Sequence, residues 1–285
     1  MGLPYVGCDL DGTIVKNSDF TMLDKTVEDI NFYQEKSNNK FFIVTGRLYE
    51  TSKLYIHKLN VKLPVVLSNG ATIIDPTTKE VLYENQLPIN TCETILDYAI
   101  ENNIELIFYS ATEFVSLKGA ERAIYFENTY AHLEKQFRPV IKYFDNLQDL
   151  RKYAINAKHK PVKFLFSFPE KGSEEIVEKT KSLLTKLNLY FPITNMSERI
   201  LIDALDNSCN KANALKKIAK ILKVDVKEIH TIGDNNNDLE MVEQSNNGCT
   251  LQNGVEPLKK IAKHVLDSID NNGVGKYLRD LVNNK

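Results

Sequence analysis

The segment Tyr5-Val6-Gly7-Cys8-Asp9-Leu10-Asp11-Gly12-Thr13 joins a short apolar run to two aspartates. Its apolar start predicts a short strand with both faces covered, because brief apolar runs that end in turn residues are typical of such strands. The strand ends at two carboxylates, Asp9 and Asp11, which are costly to bury unless they are paired, hydrogen-bonded or bound to a metal. Open α/β sheets bind their ligands at the carboxyl ends of strands. The sequence therefore predicts a functional site at this position.

Further apolar runs share this design and also end at polar or glycine residues. They are Phe41-Phe42-Ile43-Val44 before Thr45-Gly46-Arg47, Val65-Val66-Leu67 before Ser68-Asn69-Gly70, and Ile229-His230-Thr231-Ile232 before Gly233-Asp234. Between the strands that end at Cys8 and Val44, apolar residues at 23, 27, 30 and 33 follow helical spacing. A strand, a helix and a strand at this separation predict a βαβ unit and hence a parallel sheet. The polar strand ends would then meet at one edge of that sheet.

The pattern changes in the middle of the chain. From about residue 84 to 196 the buried-strand design is absent, and shorter predicted strands and helices take its place. We interpret 84–196 as a second, α+β domain inserted into a main domain made of 1–83 and 197–285. The main domain is expected to resume at the apolar run Ile200-Leu201-Ile202.

Composition excludes several classes of protein. A hydrophobic fraction of 42% and a charged fraction of 26% are typical of soluble globular proteins. The formal net charge of -2 gives no basic surface for nucleic acid or membranes. No apolar run approaches the roughly 18 residues of a membrane span, and the start of the chain lacks the pattern of a signal peptide. The scattered cysteines lack paired spacing, so we expect reduced thiols in a cytoplasmic protein.

The two aspartates of the first motif can supply a nucleophile and a proton carrier. A carboxylate at a sheet edge can attack phosphorus and form an aspartyl-phosphate, as Asp9 would. A carboxyl group two residues on, Asp11, could protonate the leaving oxygen and then activate water. Gly12 would let the backbone turn sharply out of the strand. The alternative is an acidic turn that merely ends a strand, because such tracts are common in turns.

A second acidic stretch, Gly233-Asp234-Asn235-Asn236-Asn237-Asp238, follows the last predicted strand. Its carboxylate and amide oxygens suit a hard cation such as Mg²⁺. A calcium loop of the EF-hand type fails on spacing, because Leu239 and Ser245 stand where that loop needs Gly and Glu. A helix cap remains an alternative. A Mg²⁺ ion held by Asp9 and Asp234 would offset their mutual repulsion and neutralise an approaching phosphate.

Two weaker candidates could bind a phosphoryl group. The threonine hydroxyl and backbone amides of Thr45-Gly46-Arg47 can hold phosphate oxygens, although a polar strand-to-helix turn is an equal alternative. Lys211 begins a predicted helix and could place a point charge on the transferred group. A lysine at that position is more often a solvated surface residue. The chain contains neither a P-loop nor a dinucleotide-binding glycine motif.

In their order along the chain, these residues resemble the haloacid dehalogenase (HAD) superfamily of phosphohydrolases, and its Cof-type branch in particular. The matching motifs are Asp9-Leu10-Asp11-Gly12-Thr13, Thr45-Gly46-Arg47, Ser68-Asn69-Gly70-Ala71, Lys211 and Gly233-Asp234 with Asn237-Asp238. The resemblance implies an α/β fold, with a Rossmann-like parallel-sheet core and an inserted α+β cap domain at 84–196. Cap hinges are expected near Tyr83-Glu84 and near Asn195 to Ser197.

The resemblance also implies a role for each site residue. Asp9 would be the nucleophile and a Mg²⁺ ligand. Asp11 would be the general acid/base, its backbone carbonyl would be a second ligand, and Asp234 would be the remaining protein ligand. Thr45 would bind the transferring phosphoryl group and Lys211 would neutralise it. Further substrate-binding residues are expected at Gly46, Arg47, Asn69, Gly70 and Asn237, with Asp238 in a supporting role.

These expectations favour a Mg²⁺-dependent phosphomonoesterase that acts on small phosphorylated metabolites, sugar phosphates first among them, through an aspartyl-phosphate intermediate. One alternative is a sugar phosphomutase of the phosphomannomutase kind, which shares the first motif. Another is a non-catalytic phospho-ligand sensor, whose signature would be loss of Asp9, Asp11 or Asp234, and all three are present. We expect no nucleic-acid or membrane partner, and a monomer or weak dimer.

Overall fold

The computed structural model describes residues 2–195 and 198–284. The chain divides into two compact units. The core unit contains the residues up to Arg47, Leu54–Tyr83 and those from Asn210 onward. The cap unit contains Leu48–Lys53 and Glu84–Cys209.

The described residues form short strands separated by helices. The strands are β1 (Val6–Cys8), β2 (Phe41–Ile43), β3 (Val65–Leu67), β4 (Thr72–Ile74), β5 (Val81–Glu84), β6 (Leu106–Tyr109), β7 (Phe114–Leu117), β8 (Ile141–Phe144), β9 (Lys163–Pro169), β10 (Leu189–Tyr190), β11 (Ile193–Asn195), β12 (Arg199–Asp206), β13 (His230–Ile232), β14 (Gly248–Leu251) and β15 (His264–Leu266). The α-helices are α1 (Asp24–Ser37), α2 (Tyr49–Lys58), α3 (Ile89–Glu101), α4 (Glu121–Tyr130), α5 (Leu147–Asn156), α6 (Glu174–Lys186), α7 (Lys211–Leu222), α8 (Leu239–Glu243), α9 (Glu256–Ile261) and α10 (Gly273–Asn283).

The core unit is built on a five-stranded sheet in the order β15-β14-β13-β1-β2, and every pairing in it is parallel. A parallel bridge between Val44 and Val66 places β3 beside β2. Both faces of the sheet are covered here, since all residues of β1, β2 and β3 are buried. The four predicted strand ends therefore lie along one edge of the sheet, as expected.

Helix α7 joins the core sheet to the edge where the polar residues meet. The side chain of Asn210, the residue before the helix, accepts a hydrogen bond from the backbone N–H of Asn213 at 2.6 Å and so caps the first turn. The buried stripe of α7 at Leu215, Ile218 and neighbouring alanines packs in one hydrophobic cluster with β2 and β3. This packing fixes the position of the first helical residue, Lys211.

The turn after β3 approaches α7 so closely that only glycine fits at position 70. Gly70 has a φ of +94°, and a Cβ atom there would lie 2.6 Å from the carbonyl oxygen of Asn210 and 2.8 Å from the Cβ atom of Ala214. The backbone conformation and the missing side chain are both required. The glycine of this predicted motif therefore brings the β3 loop against the start of α7.

The cap unit contains a seven-stranded sheet in the order β10-β12-β9-β6-β7-β8, with β11 pairing to β12. The neighbouring strands β6, β9 and β12 are antiparallel to one another. Helices α3, α5 and α6 contribute to the hydrophobic cluster that covers one sheet face, together with alternate residues of the strands such as Phe164, Phe166, Ile202 and Ala204. The inserted unit is therefore an α+β domain.

The second boundary of the cap lies later than the predicted 196/197. Strand β12, which contains the run Ile200-Leu201-Ile202, pairs along its length with β9 and belongs to the cap sheet. The chain re-enters the core unit at Asn210, and the first boundary falls between Tyr83 and Glu84. The expected second hinge begins at Asn195, which pairs with Ile200 inside the cap sheet, while residues 196 and 197 lie outside the described residues.

None of the described helices has the length and apolar character that a bilayer span requires. All four cysteines are buried, and the structure contains no disulfide among them.

A buried carboxylate joins the first and last helices of the core unit. Asp29 on α1 accepts from Asn272 Nδ2 at 2.8 Å and from Arg279 Nε at 2.7 Å, and its side chain is 2% exposed. We expect Asp29→Ala to lower the free energy of unfolding by about 2–3 kcal/mol, since it removes the buried carboxylate that accepts from Asn272 and Arg279. Urea denaturation measures this. Glu28→Ala removes an exposed partner of Arg279 and should cost less than about 1 kcal/mol, so equal losses would contradict the assignment.

His230 makes the stability of the fold depend on pH. Burial, with smaller contributions from His264 and Lys263, lowers the pKa of His230 to about 4, and its ring bonds to the Tyr277 hydroxyl at 2.7 Å. As pH falls below the ordinary histidine value, the unfolded chain binds a proton that the folded chain does not, so stability falls. Between about pH 7.5 and pH 5 we expect wild type to lose ~1 kcal/mol more than His230→Gln.

Urea denaturation at both pH values checks this second prediction. A matched variant, His132→Gln, removes an exposed histidine of the cap and should follow wild type. Parallel pH profiles for wild type and His230→Gln would contradict the role of the buried ring.

Candidate active site

The polar residues that follow the parallel strands meet at one edge of the core sheet. Asp9 follows β1, Thr45 follows β2 and Asp234 follows β13, and all three are buried. The backbone ladder continues one step past the strand ends: Asp9 N–H donates to Ile232 at 2.9 Å, and Thr45 N–H donates to Val66 at 2.9 Å. These bonds fix the backbone at the positions where the functional side chains begin.

Lys211 lies between two carboxylates in the interior of the site. Its Nζ atom is 2.8 Å from Oδ1 of Asp9 and 2.7 Å from Oδ1 of Asp238, and its side chain is 1% exposed. Burial acts to lower the pKa of Lys211, but the charges of Asp238 and Asp9 outweigh it and hold the pKa above its ordinary value. Lys211 is therefore a buried ammonium ion and not the solvated surface lysine that its helical position allowed.

Burial of Asp9 disfavours its charged form more than Lys211 favours it. Burial raises the pKa of Asp9 well above its ordinary value; Lys211 lowers it, while repulsion from Asp238 and Asp11 adds to the rise. A carboxylate in this position gains from any further positive charge nearby.

Asp238 joins Lys211 to the loop that carries Asp234. Its Oδ1 atom accepts from Lys211, and its Oδ2 atom accepts the backbone N–H groups of Asp234 and Asn235, each at 3.1 Å. With Asn235 it forms a capping box on the short turn that follows. The alternative of a helix cap supplied by Asp234 or Asn237 is therefore wrong: Asn235 and Asp238 form the cap, which leaves Asp234 available for another role.

Asp234 is the acidic residue that faces Asp9 across the site. Its Oδ1 atom accepts the hydroxyl of Thr13 at 2.9 Å. Burial, and then repulsion from Asp238, raise its pKa to about 6. Carboxylate oxygens of Asp9, Asp234 and Asp238 lie within 4.8 Å of one another, which is close enough to hold a metal ion. Because both oxygens of Asp238 already accept hydrogen bonds, Asp9 and Asp234 are the carboxylates that fit a metal.

The net charge of the site also fits a divalent cation. The buried carboxylates of Asp9, Asp234 and Asp238 lie around one ammonium group, that of Lys211, so three negative charges against one positive charge leave two negative charges. The donors are all oxygen atoms, which hard cations prefer. A divalent metal would bring the charge of the site to zero.

Gly12 is required by the close approach of the first motif to Asp234. It has a φ of +79°, and a Cβ atom there would lie 2.1 Å from Oδ2 of Asp234. The prediction that Gly12 merely turns the chain omitted this contact.

Asp11 is paired with Arg47. The Nε atom of Arg47 donates to Oδ2 of Asp11 at 2.7 Å, and its Nη2 atom donates to Oδ1 at 2.5 Å. Arg47 was expected as a substrate-binding residue, and the structure places its guanidinium on the carboxylate of the expected acid/base.

The loops after β2 and β3 are bonded to each other. The hydroxyl oxygen of Thr45 accepts the N–H of Arg47 at 3.2 Å, and the carbonyl of Thr45 accepts the N–H of Asn69 at 3.1 Å. Oδ1 of Asn69 accepts from Nδ2 of Asn237 at 3.2 Å and would lie 3.0 Å from a Cβ atom at Gly46. The structure therefore brings the predicted residues of these loops together.

Sequence reasoning missed two residues that hold the first motif in place. Thr13 bonds to Asp234, as above. Asn253 donates from Nδ2 to the carbonyl of Gly12 at 2.8 Å, and its Oδ1 atom accepts the N–H of Ile269 at 2.9 Å. Asn253 follows β14 as Asp234 follows β13, so the strand-end pattern contained a signal for it.

A family model described as haloacid dehalogenase-like hydrolase matches residues 6–278. The chain belongs to this family. Among its relatives, the 5-amino-6-(5-phospho-D-ribitylamino)uracil phosphatase YitU of Bacillus subtilis is 25% identical over 286 residues, with 97% of each chain covered. The phosphatase YwtE of Bacillus subtilis, which is named for the same activity, is 26% identical over 250 residues, covering 84% of this chain and 85% of the relative.

Solved structures of the family share the fold. A haloacid dehalogenase-like hydrolase from Bacteroides thetaiotaomicron has a TM-score of 0.80 at 20% identity and covers 98% of this chain and 99% of that chain. A sugar phosphatase of HAD subclass IIB has a TM-score of 0.72 at 18% identity and covers 97% and 98%. The predicted family, the α/β fold class and the enzyme class of phosphatase are thereby confirmed.

The contact between Gly12 and Asp234 gives a testable prediction for this HAD-like phosphatase. Gly12→Ala should lower kcat/KM for p-nitrophenyl phosphate by about 100-fold or more, because the new Cβ atom displaces Asp234 from the site. Gly119→Ala is a matched control, since Gly119 has a φ of +77° with nothing within 4 Å of its would-be Cβ atom. Both variants carry the same backbone strain, so equal activities would contradict the role of the contact.

Proposed function

We propose that the enzyme is a Mg²⁺-dependent phosphomonoesterase that acts on small phosphorylated metabolites, sugar phosphates first among them, through an aspartyl-phosphate intermediate. The observation that carries the proposal is the buried carboxylate of Asp9 at the end of β1, with the ammonium group of Lys211 at 2.8 Å and a second carboxylate, Asp234, facing it. A nucleophile, a fixed cation and an acidic metal site at one sheet edge suit phosphoryl transfer.

In the first step a carboxylate oxygen of Asp9 attacks phosphorus. The phosphorus–oxygen bond to the leaving group breaks, and Asp11 gives its proton to the departing oxygen. Lys211 and the hydroxyl of Thr45 lie where they can stabilise the negative charge on the transferring group. The products of this step are a free alcohol and the phosphorylated Asp9.

In the second step a water molecule attacks phosphorus of the intermediate. Asp11, now a carboxylate, accepts the proton of this water, and the bond between phosphorus and the Asp9 oxygen breaks. Inorganic phosphate leaves, and both carboxyl groups return to their starting states. The same side chain therefore serves as acid in one step and as base in the next.

The residues of the site fit a Mg²⁺ ion. Carboxylate oxygens of Asp9 and Asp234 and the backbone carbonyl of Asp11 would hold it, and when bound it would neutralise charge on the phosphate. Burial, with repulsion from Asp238, raises the pKa values of both carboxyl groups, and a bound cation would favour their charged forms.

The relatives support a phosphorylated sugar or sugar alcohol as the substrate. Two of them are named as phosphatases of a phosphoribityl compound, and a structural neighbour is named as a sugar phosphatase. These names support sugar phosphates, together with sugar-alcohol phosphates, as the first substrate class to be tested.

A phosphate-release screen over sugar phosphates, nucleotides, pyridoxal phosphate and flavin mononucleotide, with Mg²⁺ and with chelator, tests the proposal. We expect release from sugar phosphates that depends on Mg²⁺. Asp9→Asn should reduce it by about 10³-fold or more, because the amide cannot form the intermediate. Asp145→Asn, an exposed cap position, is the control.

Three outcomes would contradict the proposal: substantial activity in Asp9→Asn, activity unaffected by the chelator, or an isomerised sugar phosphate in place of free phosphate. The last outcome would identify a phosphomutase.

A further inference from the structure

The pairing of Arg47 with Asp11 has the geometry of a fixed fork. Two nitrogen atoms of one guanidinium group donate to the two oxygens of one carboxylate, at 2.7 Å and 2.5 Å. The side chain of Arg47 is 11% exposed, whereas that of Asp11 is 34% exposed. A forked pair fixes the plane of the carboxylate as well as its position. The rigid partner in this pair is therefore the arginine.

Two aromatic rings hold the guanidinium of Arg47. Its Cζ atom lies 5.3 Å from the ring centroid of Phe20 and 4.9 Å from that of Tyr55. Both distances are within the range in which a cation is attracted to a ring face. Tyr55 is fully buried on α2, and Phe20 lies in the loop that follows the first motif. The rings reach Arg47 from two separate segments of the core unit.

The loop that presents Phe20 is strained. Phe20 has a φ of +58°, a backbone conformation that is a genuine outlier for a bulky residue and costs of the order of 1–3 kcal/mol. Three hydrogen bonds maintain it: Phe20 N–H to Lys16 at 2.9 Å, Lys16 N–H to Thr21 at 2.8 Å, and the hydroxyl of Tyr55 to the carbonyl of Phe20 at 2.9 Å. Tyr55 thus contacts Arg47 with its ring and restrains Phe20 with its hydroxyl.

We propose that Phe20 and Tyr55 form an aromatic clamp that makes Arg47 a positioning residue for Asp11, the proton carrier of the reaction. The inference rests on the proposed function, because it concerns the proton that passes to the leaving group. The clamp orients the carboxylate plane of Asp11, and each oxygen keeps a further lone pair for proton transfer. Arg47 acts through Asp11 and not on the phosphoryl group.

If Arg47 positions Asp11, the effect of losing the fork should depend on whether the leaving group needs a proton. An alkyl alcohol needs a proton as its bond to phosphorus breaks, whereas p-nitrophenolate departs without one. Loss of the fork should therefore slow the cleavage of alkyl phosphates and spare that of p-nitrophenyl phosphate. The parameter kcat/KM is the correct measure, because it excludes the later hydrolysis of the intermediate, which is common to both substrates.

The experiment compares Arg47→Lys with wild type on p-nitrophenyl phosphate and on the best sugar phosphate from the screen. Lysine keeps the charge but cannot form the fork. We expect kcat/KM to fall by about 10- to 100-fold for the sugar phosphate and by less than about threefold for p-nitrophenyl phosphate. Phe20→Leu should show the same selectivity with a smaller loss.

Matched controls separate positioning from a general loss of structure. Arg279→Lys changes an arginine that likewise bonds to a carboxylate, Asp29, and stacks on a ring, Phe32, outside the site. Tyr33→Phe removes a buried hydroxyl that bonds to a backbone carbonyl, as Tyr55→Phe does. We expect the two controls to leave unchanged the ratio of kcat/KM for the sugar phosphate to kcat/KM for p-nitrophenyl phosphate. Tyr55→Phe should lower kcat/KM for the sugar phosphate and hence lower this ratio.

A double-mutant cycle completes the test. In an Asp11→Asn background, Arg47→Lys should add no further selective loss, because the residue through which it acts is already absent. An equal loss on both substrates, or a loss that persists without Asp11, would overturn the inference and identify Arg47 as a phosphoryl-binding residue. Failure of the proposed function looks different, since wild type would then release no phosphate from any ester in an Asp9-dependent manner.

Discussion

The ammonium group of Lys211 lies between the carboxylates of Asp9 and Asp238, and removing these charges from water costs several kcal/mol per ion before they attract one another. The fold compensates this cost by holding the three charged groups in fixed positions, where the ammonium group attracts both carboxylates. Asp238 is held by the N–H groups of Asp234 and Asn235, and Lys211 by the packing of α7 on the core sheet. The buried charges therefore make the position of the nucleophile depend on elements distant in the sequence.

The same arrangement leaves the site short of positive charge. Burial, with repulsion from Asp238, raises the pKa values of both Asp9 and Asp234, and Lys211 only partly opposes this rise. The folded chain would be more stable with fewer buried acids, so the acidic residues of the site lower stability. The excess negative charge favours binding of a cation, and a bound cation together with Lys211 would offset the negative charge of a phosphate at the same sheet edge.

The sequence predicted those parts of the molecule in which local pattern and position coincide. The strand ends at Asp9, Thr45 and Asp234 could be placed because short buried runs imply parallel strands whose carboxyl ends meet. The run Ile200-Leu201-Ile202 could not be assigned to its sheet, since an apolar run does not specify its pairing partner. The orientation of the Arg47 side chain toward Asp11 also could not be predicted from the sequence, because it depends on two aromatic rings that only the fold brings near.

The turn after β3 shows how strain at the site is compensated. Ser68, Asn69 and Gly70 are all left-handed, with φ values of +50°, +53° and +94°, and such residues cost of the order of 1–3 kcal/mol each when they are not glycine. The turn persists because the N–H of Ser68 donates to the carbonyl of Arg47 at 2.8 Å, and because Gly70 packs directly on the start of α7. The start of α7, which carries Lys211, thus packs against the loop after β3, and that loop is hydrogen-bonded in turn to the backbone of Arg47 after β2.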